Sequence, residues 1–111
     1  PSADVNVHKA TGENSRSVGE CFAQAKELDG KKVRVRGKVM KVSRLIMGKN
    51  WLHLQDGTGN PMKNQHDLVV TTLEEPKEGE VVTIEGVLAA DRDFGAGYKY
   101  AVIVEDAKVE H

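Results

Sequence analysis

Cysteine is nearly missing from this chain. Cys21 stands alone among 111 residues, which excludes an internal disulfide and a multi-cysteine zinc site. Aromatic residues are also scarce, with one Trp, two Tyr and two Phe. Any aromatic surface, for a core or for a ligand, must come from those five. No apolar run approaches the roughly 20 residues of a membrane-spanning helix. Excess charge is absent too: the net charge is −1 at pH 7, so bulk charge alone predicts neither a nucleic-acid binder nor a membrane-surface protein. What is present is a hydrophobic content of 39%, enough for one core, and a length that suits a single domain.

The near-neutral total conceals an asymmetry. Residues 1–55 hold eleven Lys/Arg against five Asp/Glu, and residues 56–111 hold five against twelve. Eight of the cations fall within residues 31–49, with no acid between them. Such a run is either a solvated strand face or a stripe that faces phosphates.

Residues 1–16 read as an irregular N-terminal extension, with a short strand expected at Val5-Asn6-Val7-His8. The chain begins Pro1-Ser2-Ala3 without Met, and the expectation is a trimmed or processed chain, with removal of a signal peptide as one route to it. Ser17 and Glu20 form an S-x-x-E capping box, so a helix is expected over 17–29, ended by Gly30. Val18, Cys21, Phe22, Ala25 and Leu28 share one face of it at helical spacing. Cys21, in the middle of that face, reads as a buried structural thiol.

Strand patterns follow over 31–46, 51–55, 66–73, 80–90 and 98–109. In the first, Val33, Val35, Gly37 and Val39 share one face, but Val42 has the opposite parity. A phase slip within one long strand predicts a bulge or bend, which Gly37 permits. Gly86 reads as a second bulge. In the second strand Leu52 and Leu54 face a core, while Trp51, His53 and Gln55 face outward. An outward Trp beside polar groups is either a stacking platform for a base or packing under a loop. Asp56-Gly57 marks a turn. Residues 74–79 are too short a link for a long helix, and residues 91–97 read as a loop.

The expected fold is all-β, a five-stranded barrel with one N-terminal amphipathic helix. A five-stranded sandwich is the competing architecture. Here Val33-Arg34-Val35-Arg36-Gly37-Lys38-Val39, Trp51-Leu52-His53-Leu54-Gln55-Asp56-Gly57-Thr58-Gly59 and Val81-Val82-Thr83-Ile84-Glu85-Gly86 resemble the OB-fold of the tRNA-anticodon-binding type. That pattern is V-x-V-x-G-x-V, an aromatic strand ending L-x-D-x-T-G, and V-x-V-x-G. The resemblance spans roughly residues 31–109, so residues 17–111 are expected to form one OB-fold domain that includes the helix. The chain also resembles small bacterial exported proteins described as nucleotide- or DNA-binding, in which Met47-Gly48-Lys49-Asn50-Trp51 and Asp93-Phe94-Gly95-Ala96-Gly97-Tyr98 recur. That resemblance implies a periplasmic or exported location.

No catalytic constellation is visible, so no enzyme is expected. His8, His53 and His66 lack metal-ligand spacing, and no metal or cofactor is expected. Gly95-Ala96-Gly97 has no following helix or Lys-Ser/Thr, which excludes a phosphate loop. What the OB-fold resemblance implies is a binding face across strands two and three and the loops beside them. It would gather Trp51, His53 and Gln55, with Arg44, Lys49 and Asn50 from the first loop. Arg92, Phe94, Tyr98 and Lys99 would come from the other, where Phe94 equally reads as an anchor pinning the loop to the barrel. Single-stranded DNA or RNA is one expected partner, and an envelope protein or peptide is the other.

Overall fold

The computed structural model describes residues 5–111, so the first four residues of the expected extension lie outside the described residues. Its organising element is strand β1 (Lys32–Ile46), which is bent. Val33, Val35, Gly37 and Val39 all point inward along its first half. The register then steps between Val39 and Lys41, leaving Met40 unpaired. This is the bulge that the parity of Val42 predicts. The bend lets one strand serve two neighbours. Residues 32–38 pair with β4 (Val81–Asp93), and residues 38–46 pair with β2 (Lys49–Gln55). Gly37 sits where the two sets meet. A Cβ there would lie 2.7 Å from Leu54 Cγ and 2.9 Å from the Gln55 carbonyl oxygen, so glycine is required for close approach.

Strand β2 pairs with β3 (Leu68–Thr72), β3 runs parallel to β5 (Lys99–Glu110), and β5 pairs with β4. The order β1-β2-β3-β5-β4 closes on itself, which leaves no free sheet edge along most of its length. The second bulge falls at Gly86 as expected, with the β4–β5 register stepping between Glu85 and Val87. Inside the closed sheet, Val35, Val39, Leu52, Leu54, Val70, Val82, Ile84, Val102 and Val104 form one buried cluster. They are the inward sets that alternation selects.

The capping box at Ser17 is present: Ser17 Oγ accepts from Glu20 N–H at 3.1 Å and Glu20 Oε1 accepts from Ser17 N–H at 2.8 Å. The expected single helix is instead two, α1 (Val18–Ala23) and α2 (Ala25–Leu28), broken at Gln24. The break reconciles two anchors. The start of α1 is tied to the turn after β2, and Gly30 N–H beyond α2 donates to the Leu88 carbonyl at 2.7 Å. Val18, Cys21 and Leu28 all reach the main core, and Phe22 packs on it half-buried. No helix among the described residues is long and apolar enough to cross a membrane.

Two further expectations are corrected. Residues 5–8 form no strand. Val5 is buried, but the segment is held by single bonds, Val7 N–H to the Asp56 carbonyl and Arg36 Nη1 to the His8 carbonyl, both at 3.1 Å. Asp91, Arg92 and Asp93 are strand, because the β4–β5 hairpin extends past the closed sheet, with Arg92 opposite Tyr100 and Asp93 opposite Lys99. Only residues 94–98 form the loop.

Cys21 is wholly buried, and burial, with Asp56 and then Glu20 nearby, pushes its thiol up to about 12. It is a neutral packing group at any ordinary pH. Cys21→Ala is expected to cost about 1–2 kcal/mol in urea denaturation, the loss of one small buried side chain. A thiol reagent should label the native protein only as fast as it opens; rapid labelling would contradict the assignment.

Candidate functional site

The outer face of β2 carries Trp51, His53 and Gln55, opposite Leu52 and Leu54, as alternation requires. Trp51 is nonetheless only 4% exposed. The extended β4–β5 hairpin folds over it. Phe94 meets its ring edge-on at 5.3 Å, Tyr100 stacks at 5.7 Å and Tyr98 lies tilted at 5.8 Å. The indole Nε1–H donates to the Ile46 carbonyl at 2.7 Å. Trp51, Val69 and Ile103 form a second, smaller core on the outside of the sheet, with Ile46, Ala89, Phe94 and Tyr100 against it. Four of the five aromatic residues in the chain gather here; only Phe22 lies elsewhere. The indole is thus packed under a loop, and Phe94 anchors that loop. Arg92 stacks its guanidinium 4.4 Å from the Phe94 ring centre and also bonds Glu105 at 3.2 Å.

The basic run is answered by the acidic half of the chain. Strand β1 lies beside β4, and β5 closes the sheet next to β4. Lys32 reaches Glu85 at 3.8 Å, and Arg34 pairs with Glu110 and, at 3.7 Å, with Glu85. Arg44 pairs with Glu75, and Lys49 Nζ lies 3.2 Å from Asp106 Oδ1. Exposed pairs such as Arg44–Glu75 contribute at most about 1 kcal/mol each. Their importance here is to interrupt the positive stripe. Lys31, Arg36, Lys38 and Lys41 carry no ion pair among the described residues.

His53 and Gln55 converge on one carboxylate. His53 Nδ1 lies 2.5 Å from Asp67 Oδ2, and Gln55 Nε2 donates to Asp67 Oδ1 at 2.8 Å. Burial pushes the Asp67 carboxyl up, but the hydrogen bonds from His53 and Gln55 prevail and hold it below its ordinary value. His53, Asp67, Lys99 and Tyr100 line one cavity.

Three polar residues act in ways that local pattern conceals. Asp56 is 2% exposed: Oδ2 accepts from Val18 N–H at 2.9 Å, and Oδ1 accepts from Thr58 N–H at 2.9 Å and Thr58 Oγ1–H at 2.5 Å. Thr58 Oγ1 in turn accepts from Gly19 N–H at 2.8 Å. The Asp56-Gly57-Thr58-Gly59 turn is therefore the clamp that docks α1. Gly59 has φ +88°, and a Cβ there would sit 1.9 Å from the Gln65 carbonyl oxygen. Asn50, expected in the first loop of a binding face, is buried. Its amide accepts from Leu45 N–H at 3.0 Å and donates to the Glu74 carbonyl at 2.9 Å. Asp67 reads only as the polar start of a strand.

Among the described residues no group of three or more His, Cys, Asp or Glu is placed to hold a metal. No family model matches the chain, and no curated protein matches it.

Proposed function

We propose that this chain is a non-enzymatic binding module of the OB-fold type whose partner is a protein. Five strands closed around one core, with the loop after β4 folded beside β2, support the OB reading. The observation that carries the choice of partner is the tip of the β1–β2 hairpin. Leu45 is 76% exposed and Met47 51% exposed, and both hold left-handed backbones, at φ 56° and 53°. Such conformations are costly for residues with side chains. The Asn50 amide holds the first of them in place, and Leu73, next to the Glu74 that Asn50 also binds, is 80% exposed. Large apolar side chains displayed on a fixed tip suit a protein contact. The covered Trp51 and the interrupted cationic stripe supply little that single-stranded nucleic acid needs.

The test pairs two measurements. A photo-crosslinking residue at Met47, in the source cell, is expected to trap a discrete protein adduct that Leu45→Lys abolishes. Oligo-dT and oligo-U at tens of micromolar and low salt, roughly the range of weak non-specific binding, are expected to give no shift. A salt-dependent shift would replace this reading with the nucleic-acid one. Absence of both adduct and shift would refute the protein partner as well.

A further inference from the structure

The closed sheet has one gap. Strand β5 begins at Lys99, but its parallel partner β3 first meets it at Val69 opposite Ile103. Over Lys99–Val102, β5 is therefore paired only with β4, Asp93 opposite Lys99 and Ala90 opposite Val102. A cavity of about 260 Å³ occupies the gap. Val69, Val102 and Phe22 give it an apolar lining, and His53, Asp67 and Lys99 give it a charged one. It uses none of the hairpin-tip residues assigned above to a protein partner.

The polar groups are arranged in a specific way. Each Asp67 oxygen already has a side-chain partner, Oδ2 the His53 Nδ1 and Oδ1 the Gln55 Nε2, so the carboxylate does not stand as a bare anion in the cavity. It instead fixes the imidazole and leaves Nε2 as the free ring nitrogen. Lys99 lines the same cavity and has no ion-pair partner among the described residues. The other titratable groups around His53 are Lys41, opposite it on β1, His66 beside Asp67, and Tyr100 on β5. The Tyr100 phenol, pushed above its ordinary value by burial and then by Tyr98, stays neutral.

We propose that this cavity binds a small organic monocarboxylate, its two oxygens shared between Lys99 Nζ and His53 Nε2–H and its short apolar body lying on Val69, Val102 and Phe22. The charge count selects a monoanion. Of the residues that line the cavity, Asp67 is held by His53, which leaves Lys99 as the lining cation to be matched. A phosphate dianion would bring a second negative charge next to Asp67. The volume, below the usual range for drug-sized ligands, selects a body of about ten heavy atoms or fewer.

Benzoate is a suitable probe, with benzamide as its neutral counterpart and phenyl phosphate as its dianionic one, each titrated into the whole chain at about pH 7.5, where the phosphate is the dianion, and followed by amide NMR. Benzoate is expected to shift His53, Asp67, Lys99 and Tyr100 saturably, with Kd on the order of 1 mM. Affinity should fall about tenfold in Lys99→Met, an exposed position where the rest of the spectrum should not change. Benzamide and phenyl phosphate should each bind at least about tenfold more weakly than benzoate. No saturable shift up to tens of millimolar, on the order of the weakest useful affinity, would overturn the proposal. So would shifts centred elsewhere, equal binding of benzamide, or tighter binding of phenyl phosphate.

Discussion

Asp56→Ala is expected to destabilise the protein by about 3–5 kcal/mol, a large part of the 5–15 kcal/mol that a domain of this size has in total. The magnitude follows from what the carboxylate holds. Three hydrogen bonds end on it, and one of them caps Val18 N–H at the start of α1 across 38 residues of sequence. Removing it leaves that buried N–H without a partner, which costs the full desolvation of the group. The Thr58 hydroxyl that reaches Gly19 also loses its orienting acceptor. Asp56→Asn should cost less, about 1–3 kcal/mol, because one oxygen remains to accept from Thr58 while the new NH2 faces Val18 N–H. Urea denaturation gives the energies. Amide exchange at Val18 and Gly19 should accelerate in both variants; unchanged exchange there would show that the turn does not dock the helix.

Trp51→Ala is the second large effect, about 3–5 kcal/mol, in line with truncation of a buried aromatic. The indole closes the outer core with Val69 and Ile103 beneath it and Phe94, Tyr98 and Tyr100 around it. Trp51→Phe should recover part of the loss, since ring packing survives and only the hydrogen bond to the Ile46 carbonyl is removed. Circular dichroism through a denaturant series measures both. A Trp51→Ala variant as stable as the parent protein would mean that the indole stands free, as a stacking platform would.

These two residues show where sequence was informative and where it was not. Parity along β1, β2, β4 and β5 selected the inward residues correctly, because strand period is a local property that burial on one side imposes. The slip at Val42 revealed the β1 bulge for the same reason, and Ser17 with Glu20 marked the helix start through contacts three residues apart. Parity says which way Trp51 points but not what covers it. The cover comes from Phe94 and Tyr100, more than forty residues away along the chain. Asp91-Arg92-Asp93 has loop composition, and only packing of the hairpin against Trp51 explains why it is strand. Asp56 looked like a turn residue because its turn is real; its bond to Val18 has no local signature. The charge asymmetry was plain in the sequence, but its meaning, Arg34 meeting Glu85 and Glu110 across strands, needed the closed topology.

The residues expected to form a ligand face divide accordingly. Arg44, Lys49 and Arg92 are paired with acids. Phe94 and Tyr98 pack on Trp51. His53 and Lys99 border a shared cavity, and Gln55 supports it by holding Asp67. The outer face of β2 thus has two parts, a sealed aromatic end and an open polar end.

That division rests on the state of one side chain, and Trp51 is the only tryptophan in the chain. Acrylamide and iodide quenching of its fluorescence therefore reports on the hairpin lid without interference. The sealed arrangement predicts a blue-shifted emission, weak quenching by acrylamide, almost none by iodide, and no change on adding oligo-dT. Red-shifted emission that iodide quenches freely, or that oligo-dT extinguishes, would contradict it.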